Sequence, residues 1–170
     1  MGTALGQTFL AEDTLITRIT VWRPPNTPSG YGAHLYVTGA DVNQRPDQSQ
    51  FFFDGPTLTV YDSDPPGQLI EVSFILDPPL TLPRRGTYAW FVQPENCAPG
   101  AVWYIVGNDS DPYPGGLYWI TGRVTSSPCH LRGVAGGENN TDLLFDIEFC
   151  DTHSTPILGP SWGAVKVIYR

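Results

Sequence analysis

Leu15-Ile-Thr-Arg-Ile-Thr-Val-Trp22 alternates apolar and polar side chains, and Arg23-Pro-Pro-Asn-Thr-Pro-Ser-Gly30 then cuts it off. The pattern recurs at Leu69-Ile-Glu-Val-Ser-Phe-Ile-Leu76, which Asp77-Pro-Pro79 stops. A period of two marks a strand with one buried face, and proline cannot donate to a sheet ladder. The first stretch places Leu15, Ile19 and Val21 on one face, with Arg18, Thr20 and Trp22 on the other.

Working outward, further strands are expected at Gln7–Leu10, Ala33–Thr38, Gln50–Phe53, Leu58–Tyr61, Gly86–Gln93, Ala101–Val106, Leu117–Ile120 and Asp142–Cys150. In Ala33–Thr38, Leu35 and Val37 point inward, and His34 and Tyr36 outward. In the last, Leu143, Phe145, Ile147 and Phe149 point one way, and Asp146 and Glu148 the other. Tyr88 and Trp90 belong to the core. No segment carries a sustained helical period. About ten strands joined by long loops predict an all-β chain, a two-sheet antiparallel β-sandwich of the jelly-roll type. Residues 1–150 form the sandwich domain and 151–160 a linker. Residues 161–170, Ser161-Trp-Gly-Ala-Val-Lys-Val-Ile-Tyr-Arg170, read as a terminal strand with apolar side chains on both faces. Such a strand must pair with a sheet edge, in its own chain or in a neighbour, where it would build a homo-oligomer.

The chain has 170 residues, one domain's worth, and can bury roughly 70% of its extended surface. Its net charge of −8 argues against nucleic acid and against anionic membrane surfaces, and leaves a cation or a neutral ligand compatible. No apolar run is long enough for membrane insertion as a helix. Met1 to Gln7 lack the basic and apolar regions of a signal peptide, as would a domain cut from a precursor or a cytosolic chain. The cysteines are Cys97, Cys129 and Cys150, without zinc spacing. One loop-to-loop disulfide, Cys97 to Cys129, would pin two long connections; three reduced thiols are the alternative.

Three arrangements could carry chemistry. Asn108-Asp-Ser-Asp111 offers closely spaced oxygens on a turn, the ligand type that Ca²⁺ takes, so Asn108, Asp109 and Asp111 are the candidate metal ligands. Asx residues favour such turns for local reasons as well. Asp62 and Asp64 repeat the pattern in weaker form. Around the same loop lie Trp103, Tyr104, Tyr113, Tyr118 and Trp119, with Trp22 and Tyr36 elsewhere. Aromatic faces bind sugar rings while adjacent polar groups hold the hydroxyls, and β proteins use the same residues in cores. Asp146 and Glu148 share a strand face roughly 7 Å apart, a separation glycosidases use and solvated surfaces share. His34, His130 and His153 are dispersed, and no nucleophile elbow or phosphate loop is present. A catalytic role is not expected.

Gly6-Gln-Thr-Phe-Leu-Ala11, Leu15-Ile-Thr-Arg-Ile-Thr-Val21, Pro79-Leu-Thr-Leu-Pro83, Gly86-Thr-Tyr-Ala-Trp90 and Asp111-Pro-Tyr-Pro-Gly-Gly116 resemble β-sandwich modules of bacterial extracellular proteins. Those modules are similar to carbohydrate-binding jelly rolls, many with a structural Ca²⁺. Trp162-Gly-Ala-Val-Lys-Val-Ile-Tyr-Arg170 resembles a short tail that closes many secreted bacterial proteins. The resemblance implies an extracellular, non-catalytic recognition module whose partner is a glycan. A surface-layer, filament or virion subunit paired through residues 161–170 is the alternative.

Overall fold

A computed structural model describes residues 4–25, 32–59, 67–94, 103–109, 113, 115–121, 131, 134–138 and 141–150, of which 134–138 as backbone. The described chain is all-β. Its strands are β1 (Leu5–Ala11), β2 (Leu15–Arg23), β3 (Gly32–Ala40), β4 (Pro46–Thr59), β5 (Ile70–Thr81), β6 (Gly86–Pro94), β7 (Gly107–Asn108), β8 (Tyr118–Thr121), β9 (Val134–Glu138), β10 (Asp142–Leu143) and β11 (Phe145–Phe149). Six form one sheet in the order β4-β3-β6-β1-β8-β9, three form a second, β11-β2-β5, and β10 pairs with β7. Each pairing is antiparallel. The chain crosses from one sheet to the other between β1 and β2, β2 and β3, β4 and β5, and β5 and β6.

The inner faces of the two larger sheets share one core. Phe9, Leu35, Val37, Trp90 and Val92 come from the six-stranded sheet, and Ile16, Ile19, Val21, Val72 and Phe74 from the three-stranded one. The alternation read from the sequence sets these faces, with one shift. Register slips between Ile16 and Arg18: Thr17 is an extra residue of β2 opposite β11, and on the other side β5 bulges through residues 76–79 across the same step. Ile16 is therefore fully buried and Leu15 only half-buried, a correction to the expected face.

The middle of the six-stranded sheet is also buried on its other face. Ala4, Tyr36, Ala89, Phe91, Trp119 and Leu131 make a second apolar cluster there. Thr8, Thr38 and Gln93 lie on the same face and are buried with it. The central strand β6 thus reads Tyr88-Ala-Trp-Phe-Val92 without a polar residue, as a strand covered on both sides must.

Two expected strand ends are overrun. β5 continues through Asp77-Pro78-Pro79 to Thr81, with a cis Asp77–Pro78 peptide, because as an edge strand it can hold prolines where no ladder donor is needed. β4 runs unbroken through Asp54-Gly55-Pro56, with three register shifts against β3, where two short strands were expected. Two other stretches differ as well. Residues 103–106 are not ladder strand but bond singly, Val106 N–H donating to the Trp22 carbonyl at 2.8 Å. β9 occupies part of the long stretch expected to be irregular.

Candidate functional site

Asp142 adjoins the described part of the expected Gly107–Gly116 site, pairing with Asn108 and bonding Tyr113. This carboxylate is buried, 3% exposed. Its Oδ1 accepts from Gln7 Nε2, and its Oδ2 accepts from the Tyr113 amide at 2.6 Å. Gln7 returns the tie, its Oε1 accepting from the Leu143 amide at 2.5 Å. Buried polar groups must be matched in this way or cost several kcal/mol.

Tyr113 is built into this knot. Its hydroxyl accepts from the Leu10 amide at 2.9 Å, and its ring meets Phe145 edge-on at 5.7 Å. Burial, the largest influence, raises the phenol's pKa; Glu12 and Asp142 add to the rise, while the Leu10 bond opposes it. Gly116 lies against the ring, where a Cβ would come within 2.8 Å of Tyr113 and 2.3 Å of the Thr8 carbonyl.

The other expected residues do not gather on one surface. Trp103 is buried in the inter-sheet core, with the Arg23 guanidinium 5.8 Å from its ring centre. Tyr118 is half-buried against that core, whereas Trp119 sits in the cluster on the opposite face of the sheet. The Trp119 indole N–H is buried without a hydrogen-bond partner among the described residues. Tyr104 is exposed.

Asn108 pairs with Asp142 across the β7–β10 ladder, and Asp109 Oδ1 accepts from the Thr141 hydroxyl at 3.2 Å. Asp111, Cys97, Cys129, Asp62, Asp64, His130, His153 and residues 151–170 lie outside the described residues. Among the described residues, no group of three His, Cys, Asp or Glu side chains gathers around a common point. Cys150 is an exposed free thiol. Glu148 forms an ion pair with Arg18 at 2.6 Å. His34 joins β3 to β4, its Nε2 bonded to Asp54 Oδ1 at 2.6 Å and its Nδ1 3.2 Å from Thr57 Oγ1.

An open cleft of about 290 Å³ lies elsewhere, at the end of the sheets where the β3–β4 and β5–β6 connections meet. Gln50, Phe52, Arg84, Arg85, Thr87 and Tyr88 line it, with Asp41 on the rim of the first connection. Both connections are fixed by their own bonds. Asp41 Oδ1 accepts from the amides of Asn43 and Arg45 at 2.8 and 2.9 Å, and Thr8 Oγ1 donates to Gln44 Oε1 at 3.2 Å. On the other side, the Tyr88 hydroxyl donates to the Arg84 carbonyl at 2.7 Å, and the Leu82 amide donates to the Thr14 carbonyl at 2.7 Å. Gly86 closes that turn at φ 153°, a conformation that side chains with a Cβ rarely adopt.

Phe52 is half-buried and meets Tyr88 edge-on at 5.5 Å, giving the cleft an apolar wall. Gln50 Nε2 donates to Asp47 Oδ2 at 2.8 Å, which orients the amide. Asp47 itself is held below the usual carboxylate range by hydrogen bonds, those from Ser49 first. Sequence reasoning passed over this cleft. Its one signal was Arg84-Arg85, the sole adjacent basic pair in an acidic chain.

No protein-family model matches the chain, and no curated protein or solved structure matches it either.

Proposed function

We propose that this chain is a non-catalytic extracellular recognition module of jelly-roll architecture, and that it binds a glycan in the cleft between the β3–β4 and β5–β6 connections. The cleft carries the reading. Its volume suits about one sugar ring, near the lower end of small-molecule sites. Phe52 supplies an apolar wall, and Gln50, Thr87 and the two arginines supply hydrogen bonds. The connections around it are already bonded in place, so their backbone needs little further ordering on binding. The crossings between sheets support the jelly roll, and the resemblance to modules of bacterial extracellular proteins supports the location.

A glycan array probed with the intact chain tests the proposal. Saturable binding to a subset of glycans is expected, and Gln50→Ala should lose it with an unchanged melting temperature. An array without any bound glycan overturns the reading.

A second reading, an assembly subunit, is favoured by β5. It is an edge strand among the described residues, with Ile75 72% exposed. Deleting residues 161–170 and measuring mass in solution tests it: a multimer that becomes a monomer supports pairing through the tail.

A further inference from the structure

We propose that the sugar taken by the cleft is acidic, a carboxylate-bearing pyranose within an oligosaccharide, held by Arg84 and Arg85. This inference rests on the glycan reading and narrows its ligand class. The chain as a whole is acidic, with 17 Asp and Glu against 9 Lys and Arg. Two of those basic residues stand side by side at the one place where described residues form this cleft.

Arg84 and Arg85 are exposed, and neither guanidinium has an ion-pair partner among the described residues. The other described arginines differ in setting. Arg18 is paired with Glu148, and Arg23 is buried beside Trp103. Arg45 is exposed on the neighbouring connection. The one carboxylate lining the cleft, Asp41, already accepts two backbone N–H groups of its own loop. Two arginines therefore line the cleft with a single, internally bonded carboxylate, and the lining favours an anion.

The chemistry of the pair narrows that anion. Guanidinium presents planar, forked donors that match the two oxygens of a carboxylate. The turn bearing both arginines is fixed at Arg84 by Tyr88 and at Leu82 by Thr14. Beside the guanidiniums, Phe52 offers a face for the ring's C–H surface, and Gln50 Oε1 has no donor among the described residues. That oxygen can accept from a ring hydroxyl. A free small carboxylate would use the arginines alone; a uronic acid uses all of these groups.

The experiment is titration calorimetry of the full chain with oligogalacturonate, with a neutral oligosaccharide of the same length, and with citrate. Wild type should bind oligogalacturonate at least about tenfold more tightly than the neutral oligomer, the worth of one charge-assisted hydrogen bond. Arg84→Gln with Arg85→Gln should erase that preference, while the melting temperature stays unchanged because both side chains are exposed. Gln50→Ala should weaken oligogalacturonate and leave citrate unaffected. Affinity for the acidic oligomer should also fall as salt rises.

Equal binding of acidic and neutral oligomers overturns the inference and leaves the glycan reading standing. Citrate binding as tight as oligogalacturonate overturns the glycan reading and leaves a carboxylate site. Binding to none of the three overturns the inference, and the array then decides the reading on its own.

Discussion

Gln7 and Asp142, 135 positions apart in the chain, hold each other side chain to side chain inside the protein; Gln7 also holds the amide of Leu143, next to Asp142, and Asp142 holds the amide of Tyr113 from a third segment. Removing the carboxylate leaves the buried Gln7 amide and the part-buried Tyr113 N–H without this acceptor. Asp142→Ala is therefore expected to lower the unfolding free energy by about 3 kcal/mol. Asp142→Asn turns one acceptor into a donor facing a donor and should also destabilise. Urea denaturation measures both. A loss under about 1 kcal/mol for Asp142→Ala would show that water takes the place of the carboxylate.

Phe91 lies over Gly6 on the outer face of the large sheet. A Cβ on Gly6 would come within 2.1 Å of the Trp90 carbonyl and 2.4 Å of the Phe91 ring. The backbone carbonyl cannot step aside without breaking the β1–β6 ladder. Gly6→Ala should cost more than about 3 kcal/mol or abolish folding, at the upper end for one substitution. Soluble expression and circular dichroism read this directly; a cooperative melt within a few degrees of wild type would contradict it.

Tyr36 gives the fold an alkaline limit. Burial, reinforced by the charge of Asp54, pushes its pKa up to about 12 from 10.0. Between those values the unfolded chain loses the proton and the folded chain keeps it. The stabilisation is complete below pH 10 and is lost as pH rises toward 12. The melting temperature should fall over that window, and Tyr36→Phe should flatten the fall. Tyr113, also raised, contributes in the same direction. An unaltered slope in Tyr36→Phe would show that other groups govern the alkaline limb.

The strands were legible where one face is wet and one dry. In β5, Ile70, Val72, Phe74 and Leu76 are buried while Glu71 and Ile75 are exposed, as the alternation requires. The reading failed where period two does not distinguish outcomes. The bulge near Thr17 changes which of Leu15 and Ile16 is inside, and no single residue announces it. Trp119, a candidate binding aromatic, is buried, because the middle of the large sheet is covered on both faces. Prolines at 78 and 79 signalled an end that an edge strand does not need. The cleft was invisible for a different reason. Gln50, Phe52, Arg84 and Tyr88 come from separate strands and turns, and only the sheet order brings them together.

The contrast between faces also predicts a pair of substitutions. Ile75 is 72% exposed and pairs with Arg18 across β2 and β5. Ile75→Thr should change stability by less than about 0.5 kcal/mol. Leu35, fully buried between the sheets, should cost about 3 kcal/mol when cut to alanine. Chemical denaturation of the two variants side by side checks the assignment of faces.

The place of β1 has a kinetic consequence. It lies inside the large sheet, and both its neighbours, β6 and β8, come much later in the chain. During synthesis it leaves the ribosome with neither ladder partner available, and Gln7 waits longer still for Asp142. Loop closure over such spans must be met before any contact rewards it, so this chain belongs among the slow folders. While it waits, Gly6-Gln-Thr-Phe-Leu10 is an open strand that can take the wrong partner. Crowded expression therefore endangers this protein through β1 rather than through β11, the last of the described strands.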